Sequence, residues 1–417
     1  MAGRLDRIGE AIVFTYGRSY LEREDAPPLY LPELPLGDEP ISPRGEVHGC
    51  IADAAPDSWG RRVILNRRVG RGSDETADLG LLTYLLDSGS DRIGALDFQE
   101  SSKDYVARLA GSATLAELAE SAARVEAGIP LSDELDEALV RGSSIGGARP
   151  KVLLEDGQRR LIAKFSSTTD PYRVVQAEFV AMRLAEIAGL DVARVEMTEA
   201  AVDRKVLLVE RFDRPGEGRR RAMVSALTLL GLDEAGARYA SYADLADVIR
   251  TRFTQPDRTL RELFSRITFN ILTGNNDDHA RNHAAFWDGE TLELTPAYDI
   301  CPQPRAGNET RQVMDIGRDG WRMSQVAGCV EHSKTYHLTA AQAREIVDRQ
   351  VSLIGTNWFG VCDEAGLTRV EREGFWKRQF LNPYAIEGYD EASSSFAASR
   401  SSERPTDRQA ARRPSRR

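Results

Sequence analysis

The region between residues 142 and 190 constrains the fold more than any other part of the chain. Two apolar runs, residues 151–154 and 161–165, are separated by Asp156-Gly157, a dipeptide that favours a tight hairpin turn. Asp170-Pro171 then supplies an N-cap residue and a proline suited to the first turn of a helix, and Gly189 predicts where that helix ends. The order strand, turn, strand, helix predicts a mixed α/β (α+β) fold.

Length and charge limit the class of protein. A chain of 417 residues exceeds one ordinary core, so we expect two or three packed units. The net charge of −10 argues against broad adhesion to nucleic acid or to an anionic membrane, although a local basic patch stays open.

The cellular compartment follows from cysteine spacing and hydropathy. The four cysteines stand far apart with no CxxC pair, which argues against a disulfide framework and suits a reducing cytosol. No apolar run approaches the roughly 18 residues of a transmembrane helix. We therefore expect a cytoplasmic protein without a membrane partner.

A polar loop between residues 275 and 282 carries the strongest chemical signal. The preceding segment has apolar residues at helical spacing up to Ile271, and Gly274 is predicted to end that helix and expose the loop. Phosphoryl transfer needs a carboxylate that orients the attacking hydroxyl, together with carboxylate and amide ligands for Mg²⁺. Asp277 fits the first role, and Asn282 and Asp299 fit the second.

The order and spacing of these residues support the assignment. Five positions separate Asp277 from Asn282, as in the protein-kinase catalytic loop. A hairpin with Asp288-Gly289 as its turn would return Asp299 to the same end of the site. Any one of these residues alone is more often an ordinary polar loop residue, so the hypothesis rests on the set.

Lys164 and Glu178 form a second constellation. Glu178 lies within an apolar stripe of the predicted helix, where a buried carboxylate requires a cationic partner, and Lys164 is the nearest in chain order. Kinases use such a pair to hold a lysine against the nucleotide phosphates. The alternative is a surface Glu178 on a helix whose buried face centres on Phe179.

A glycine pair precedes this lysine. Backbone N–H groups at Gly146-Gly147 can approach phosphate oxygens closely, and Lys151 adds a donor. The segment matches neither GxGxxG nor a Walker loop, so an ordinary β-turn remains the alternative.

Taken in order, these motifs resemble the HipA family, the kinase toxins of bacterial toxin–antitoxin pairs, over nearly the whole chain to about Tyr384. The resemblance rests on segments at 144–151, 209–214, 277–282 and 298–299, and in the N-terminal region on Ala55-Pro56-Asp57-Ser58 and Arg92-Ile93-Gly94-Ala95. It implies a two-lobed protein-kinase-like fold with a small N-terminal α+β subdomain. The expected division is 1–110 for that subdomain, 111–215 for the N-lobe-like region with the phosphate loop, 216–385 for the helical C-lobe, and 386–417 for a disordered tail rich in Arg and Ser.

The resemblance also implies ATP and Mg²⁺ as cofactors, Asp277 as the catalytic residue, Asn282 and Asp299 as metal ligands, and Ser144 as an autophosphorylation switch. The residues it assigns to ATP binding are Gly146, Gly147, Ala148, Arg149, Pro150, Lys151, Lys164, Glu178, Glu210, Arg211, Phe212, His279, Arg281, Asn282, Tyr298 and Asp299. The implied partners are a HipB-like helix-turn-helix antitoxin, operator DNA through that complex, and a protein substrate of which the family's best-known example is glutamyl-tRNA synthetase.

Two positions depart from the family pattern. Arg149 stands where the family usually has Gln, and Asp278 where Gly or Ala is common. Asp278 is expected to place an additional carboxylate beside Asp277 and to alter metal or substrate preference. A kinase acting on a small molecule or lipid, or a catalytically idle subunit of a repressor complex, would share the resemblance. The idle subunit should lack a base, a lysine or a metal ligand, and none is missing.

Overall fold

The computed structural model describes residues 1–70, 79–108, 113–132, 135–136, 139, 147–167, 169–201, 204–305, 307 and 309–389. The predictions for Ser144, for Gly146 and for the tail from residue 390 onward lie outside these residues. Within the described part of the chain, no helix has the length and apolar character needed to cross a membrane. The four cysteines are buried free thiols, as their spacing predicted.

The N-terminal region pairs one hairpin with short helices. Strands β1 (Gly3–Ile8) and β2 (Ala11–Tyr16) are antiparallel, and β2 buries Ile12 and Phe14 in the core. The helices that follow are α1 (Arg18–Leu21), α2 (Gly49–Ala52), α3 (Ser58–Gly70) and α4 (Leu81–Asp87).

The next region is a four-stranded antiparallel sheet covered by two helices. Helix α5 (Leu115–Glu126) begins with a capping box between Thr114 and Glu117. The strands are β3 (Lys151–Asp156), β4 (Arg159–Phe165), β5 (Val195–Ala201) and β6 (Arg204–Glu210), in the order β3-β4-β6-β5. The β3–β4 hairpin confirms the predicted turn, and its register sets Lys151 opposite Lys164.

Helix α6 (Val174–Ala188) packs on this sheet and ends at Gly189 in a left-handed conformation with φ of 87°, as predicted. Its predicted start was wrong. The N-cap is Arg173, and Asp170 instead accepts hydrogen bonds from the Ser167 N–H and from Arg149. These contacts hold Asp170 in the loop before the helix.

The C-terminal region is mainly helical. Its helices are α7 (Ala226–Leu229), α8 (Tyr242–Arg252), α9 (Pro256–Thr273), α10 (Val326–Glu331), α11 (Ala340–Glu364) and α12 (Arg369–Phe375). A three-stranded antiparallel sheet of β7 (Met223–Ser225), β8 (Ala284–Trp287) and β9 (Leu292–Leu294) lies beside them. Strands β8 and β9 form the hairpin predicted between Asn282 and Asp299, with Gly289 in its turn at φ of 105°.

Hydrophobic packing joins these regions. The largest core cluster takes residues from β2, α2, α4, α6 and the C-terminal helices. A second cluster joins Trp59 and Val63 of α3 to α5 and to strands β3, β4 and β6. Buried side chains from both sides of the predicted boundary at residue 110 therefore belong to the same clusters. Residues of both lobes share a core with the N-terminal region.

Candidate active site

Lys164 lies at the centre of the site. Its Nζ donates to Glu178 Oε1 and to Asp299 Oδ1, each at 2.5 Å. Burial alone would lower the pKa of Lys164, but the carboxylates of Asp299 and Glu178 outweigh burial and raise it. The lysine therefore stays cationic, and it joins strand β4, helix α6 and the segment after β9.

Glu178 is 2% exposed in a helix that is buried on nearly all sides, including at Phe179. The alternative in which Glu178 lies on the surface is therefore wrong. Burial raises the pKa of Glu178, and Lys164 opposes that shift.

Asp299 adopts a left-handed backbone conformation with φ of 59°, which is uncommon for a residue with a side chain. Strain of this kind concentrates at functional sites, where neighbouring contacts enforce it. Burial would raise the pKa of Asp299, but Lys164 and Lys151 outweigh it and hold the pKa below its usual value. Asp299 is thus an anion beside two lysines.

The loop that carries Asp277 begins where predicted. Helix α9 ends at Thr273, and Gly274 has φ of 73°. A Cβ at Gly274 would lie 2.7 Å from the backbone oxygen of Gln379, so a larger residue would not fit. The Asn282 side-chain nitrogen donates to the Asp277 backbone oxygen at 3.4 Å, which ties the loop to its far end.

Asp277 is exposed at the surface of this loop. Partial desolvation raises the pKa of its carboxyl, and the charges of Asp299 and Asp278 act in the same direction while His279 opposes them. A carboxylate with a raised pKa is a better proton acceptor, which suits a base.

Asp278 points the opposite way, so the expectation that it adds a carboxylate to the site was wrong. It is 3% exposed, and its Oδ2 accepts hydrogen bonds from the Tyr242 hydroxyl and from Asn270 Nδ2 at 2.7 Å, with His283 Nε2 at 2.8 Å. Burial would raise the pKa of Asp278, but His283 and Tyr242 outweigh it and lower it. Asp278 therefore stabilises the loop through hydrogen bonds on its buried side.

The described part of the predicted phosphate loop lies against Lys151. Gly147 has φ of 107°, and a Cβ there would overlap Lys151 Nζ. Burial lowers the pKa of Lys151 to about 8, with Lys164 adding to the effect and Asp57 opposing it. Ala148 is exposed, Pro150 is buried, and Arg149 forms an ion pair with Asp170 at 2.6 Å.

Segment 209–214, which the family resemblance gives as the hinge between the lobes, contains three of the residues predicted to bind ATP, and these divide into two groups. The Arg211 guanidinium is buried and pairs with Asp213 at 2.8 Å and with Asp91 at 3.0 Å, so its side chain is not available to a nucleotide. Glu210 is the last residue of strand β6, and the Phe212 ring packs against Phe286 and Tyr298.

Arg281 and Tyr298 support the loop. The Tyr298 hydroxyl donates to the Arg281 backbone oxygen at 2.6 Å. The Arg281 guanidinium pairs with Glu234 at 2.6 Å and with Asp53 at 3.2 Å. Nothing in the local sequence around Asp53 predicts its contact with a residue 228 positions later in the chain.

The oxygen ligands available at this site suit Mg²⁺. Asn282 uses its amide nitrogen on the loop, which leaves the amide oxygen as an acceptor, and Asp299 supplies carboxylate oxygen. In the described part of the chain, no cluster of three or more His, Cys, Asp or Glu residues could hold a metal by itself. Mg²⁺ is commonly bound in this way, through one or two protein oxygens together with substrate phosphates and water.

Two models of known protein families match this chain, and together they cover most of the residues over which the motifs show the resemblance. The model of the HipA N-terminal domain matches residues 1–99, and the model of the HipA-like C-terminal domain matches residues 143–358.

Two relatives of this chain are named as kinases, and one of them is a HipA toxin. The Y4mE protein of Sinorhizobium fredii, named as a candidate kinase, is 29% identical over 368 residues, covering 76% of this chain and 80% of that protein. The serine/threonine-protein kinase toxin HipA of Shewanella oneidensis is 30% identical over 184 residues, covering 38% of this chain and 42% of that toxin.

A solved complex of Shewanella oneidensis HipA, HipB and operator DNA contains a chain of the same fold. That chain aligns with a TM-score of 0.67 at 20% identity, covering 92% of the present chain and 97% of its own length. The two-lobed fold expected from the sequence is thereby confirmed.

Proposed function

Because this chain belongs to the HipA family of kinase toxins, we propose that it transfers the γ-phosphate of ATP to a serine or threonine of a cellular protein, with Mg²⁺. The observation that carries the proposal is the Lys164 ammonium, which joins Glu178 and Asp299 beside the loop of Asp277. Strand β4, helix α6 and the segment after β9 each contribute one of these charged residues, and phosphoryl transfer uses a lysine oriented by a carboxylate beside a metal-binding carboxylate.

Positioning is the main task of these residues. Lys164, oriented by Glu178, and Lys151 beneath Gly147 would hold the phosphates of ATP. Asn282 and Asp299 would hold Mg²⁺, which neutralises phosphate charge when bound.

Asp277 would accept a hydrogen bond from the acceptor hydroxyl and take its proton. The hydroxyl oxygen bonds to the γ-phosphorus as the bond from that phosphorus to the β-γ bridging oxygen breaks. The products are ADP and a phosphate ester.

The proposal extends to the biological setting. A HipB-like helix-turn-helix antitoxin would bind this chain and link it to operator DNA, and an aminoacyl-tRNA synthetase is the proposed class of acceptor. The solved HipA, HipB and operator DNA complex supports the first part through its shared fold. Cytoplasmic location fits four buried free thiols.

The test uses γ-labelled ATP, Mg²⁺ and a cell lysate. We expect the wild-type chain to label a protein band, and Asp277→Asn to lose at least about 10²-fold in rate while still binding ATP. Binding is measured separately by calorimetry. A labelled small product instead of a protein would indicate a small-molecule or lipid kinase, and no label would indicate an idle subunit. Full transfer by Asp277→Asn would overturn the assignment of the base.

A further inference from the structure

Residues 53–59 connect helices α2 and α3 in the N-terminal region, and they contact both lobes at the active site. We call them the bridging segment. Asp53 stands at its start, Asp57 near its end, and Trp59 in the first turn of α3.

The Asp53 carboxylate is fixed on the C-lobe. It accepts hydrogen bonds from the Ser225 N–H at 2.7 Å, the Ser225 hydroxyl at 2.6 Å and the Thr228 hydroxyl at 2.8 Å. It also pairs with Arg281 at 3.2 Å, and its side chain is only 9% exposed. Four donors therefore hold this one side chain in place.

These partners flank the catalytic loop. Ser225 pairs with Ala284, two residues after Asn282, and the Ala226 N–H donates to the backbone oxygen of His283 at 2.7 Å. Asp53 therefore joins the end of the catalytic loop both directly, through Arg281, and through strand β7.

The other end of the bridging segment is fixed on the phosphate-loop strand. Trp59 is fully buried, and its indole N–H donates to the Lys151 backbone oxygen at 3.0 Å. Burial raises the pKa of the Asp57 carboxyl to about 6, and the charge of the neighbouring Lys151 opposes that shift. The Asp57 Oδ2 lies 3.9 Å from where a Cβ on Gly147 would stand.

We propose that the bridging segment is a positioning device that sets the catalytic loop and the phosphate-loop strand at a fixed separation, so that phosphoryl transfer depends on the N-terminal region. The proposal rests on the proposed kinase function. Hydrogen bonds hold Asp53 on the C-lobe and Trp59 on strand β3, so a change in the separation of the two sites would break one of these buried contacts. Asp53 positions the loop that carries Asp277, and Trp59 positions Lys151.

Two variants separate these roles in the full-length chain. Asp53→Asn removes the charge and weakens the contact with Arg281. It should lower the rate of label transfer to lysate protein at saturating ATP by about 10- to 10²-fold, with little change in the ATP concentration for half-maximal rate. Trp59→Phe removes the hydrogen bond to Lys151. It should mainly raise that half-maximal concentration.

The matched control is Glu46→Gln. Glu46 is a carboxylate of the same N-terminal region that pairs with Arg7 at the surface, and neither side chain of this pair has a hydrogen bond to the bridging segment among the described contacts. This variant should keep both kinetic parameters. Hydrogen exchange of all three variants supplies a readout that needs no activity, and we expect faster exchange at residues 280–284 in Asp53→Asn and at 151–153 in Trp59→Phe.

The outcomes distinguish this proposal from the proposed function. A wild-type chain without transfer would remove the kinase assignment, while the exchange pattern would still report on the bridging segment. Unchanged exchange and unchanged rates in Asp53→Asn would overturn the positioning role. An equal loss in Glu46→Gln would also overturn it, because the effect would then not be specific to the bridging segment.

Discussion

Two adjacent residues of the catalytic loop have opposite orientations, and the prediction that both carboxylates face the site is wrong for Asp278. Asp277 is exposed and Asp278 is buried against Tyr242, Asn270 and His283. A loop has no periodicity that tells which side a residue faces, and Tyr242 lies 36 positions away. The spacing to Asn282 predicts Asp277 as the base, whereas the orientation of Asp278 depends on partners that are distant in the sequence.

The triad of Lys164, Glu178 and Asp299 leads to a prediction about coupling. Lys164→Ala and Glu178→Gln should each slow label transfer, because Glu178 acts by orienting Lys164. In the double variant, the loss of activation free energy should be smaller than the sum of the losses in the two single variants, by a coupling energy of about 0.5–3 kcal/mol. A double-mutant cycle on the transfer rate at subsaturating ATP measures this difference.

The exposed pair of Lys205 and Glu199 on the neighbouring strands is the control for this cycle. Variants of that pair should leave the rate unchanged, because the pair lies at the surface and holds no phosphate. Strictly additive losses at Lys164 and Glu178 would show that the two residues act separately.

At the scale of elements, two motifs noted separately in the sequence turn out to bind each other. Arg214 pairs with Asp91 at 2.7 Å and donates to the Gly94 backbone oxygen, and Asp213 accepts a hydrogen bond from the Gly94 N–H at 2.8 Å. Residues 91–94 and 211–214 therefore form a buried ionic junction between the N-terminal region and the hinge. Arg211 belongs to this junction, which explains why its side chain does not face the nucleotide site.

Asp213 should be critical for stability, because it is buried between two arginines. Burial would raise the pKa of Asp213, but Arg211 and Arg214 outweigh burial and lower it. Its stabilising effect is therefore present above the unfolded-state pKa of about 3.9 and is lost as the pH falls through the lower folded-state pKa. Asp213→Asn should cost about 3–5 kcal/mol at neutral pH, since the buried Arg211 and Arg214 then share only the partly exposed carboxylate of Asp91.

Denaturant unfolding measures this loss, with Glu293→Gln as the control. Glu293 forms an exposed pair with Arg221, so its replacement should cost less than about 1 kcal/mol. Similar small losses in both variants would show that the junction is not a stabilising ion network.

Elements with strong local signals were predictable, and those defined by distant partners were not. Gly189 and Gly274 end their helices, and Asp288-Gly289 forms the hairpin turn. These three positions were predictable because the three glycines have positive φ, which favours glycine. Strand β5 has a mixed polar sequence at the edge of its sheet, and β7 has only three residues, so neither carries a clear periodic pattern. Strand β5 is stabilised by pairing with β6, and β7 by pairing with β8.

On the scale of the whole molecule, one core joins parts of the chain that the sequence suggested were separate. Ile12, Phe14 and Leu85 of the N-terminal region belong to the same buried cluster as Phe264 of helix α9. Packing of this kind means that neither part can bury its apolar surface without the other.

We therefore predict that the described chain unfolds as one cooperative unit and that the N-terminal region cannot be removed. A chain starting at residue 111 would lose the α2 residues that contact strand β7 and helix α7 and would expose apolar residues of the shared core, so it should aggregate or fail to fold. Deletion of residues 393–417 is the matched control, since that segment has few apolar residues and its sequence predicts that it is dispensable. Calorimetry of the full chain should give one transition with equal calorimetric and van't Hoff enthalpies. Two resolved transitions, or a monomeric 111–389 fragment that binds ATP, would show instead that the N-terminal region is an independent domain.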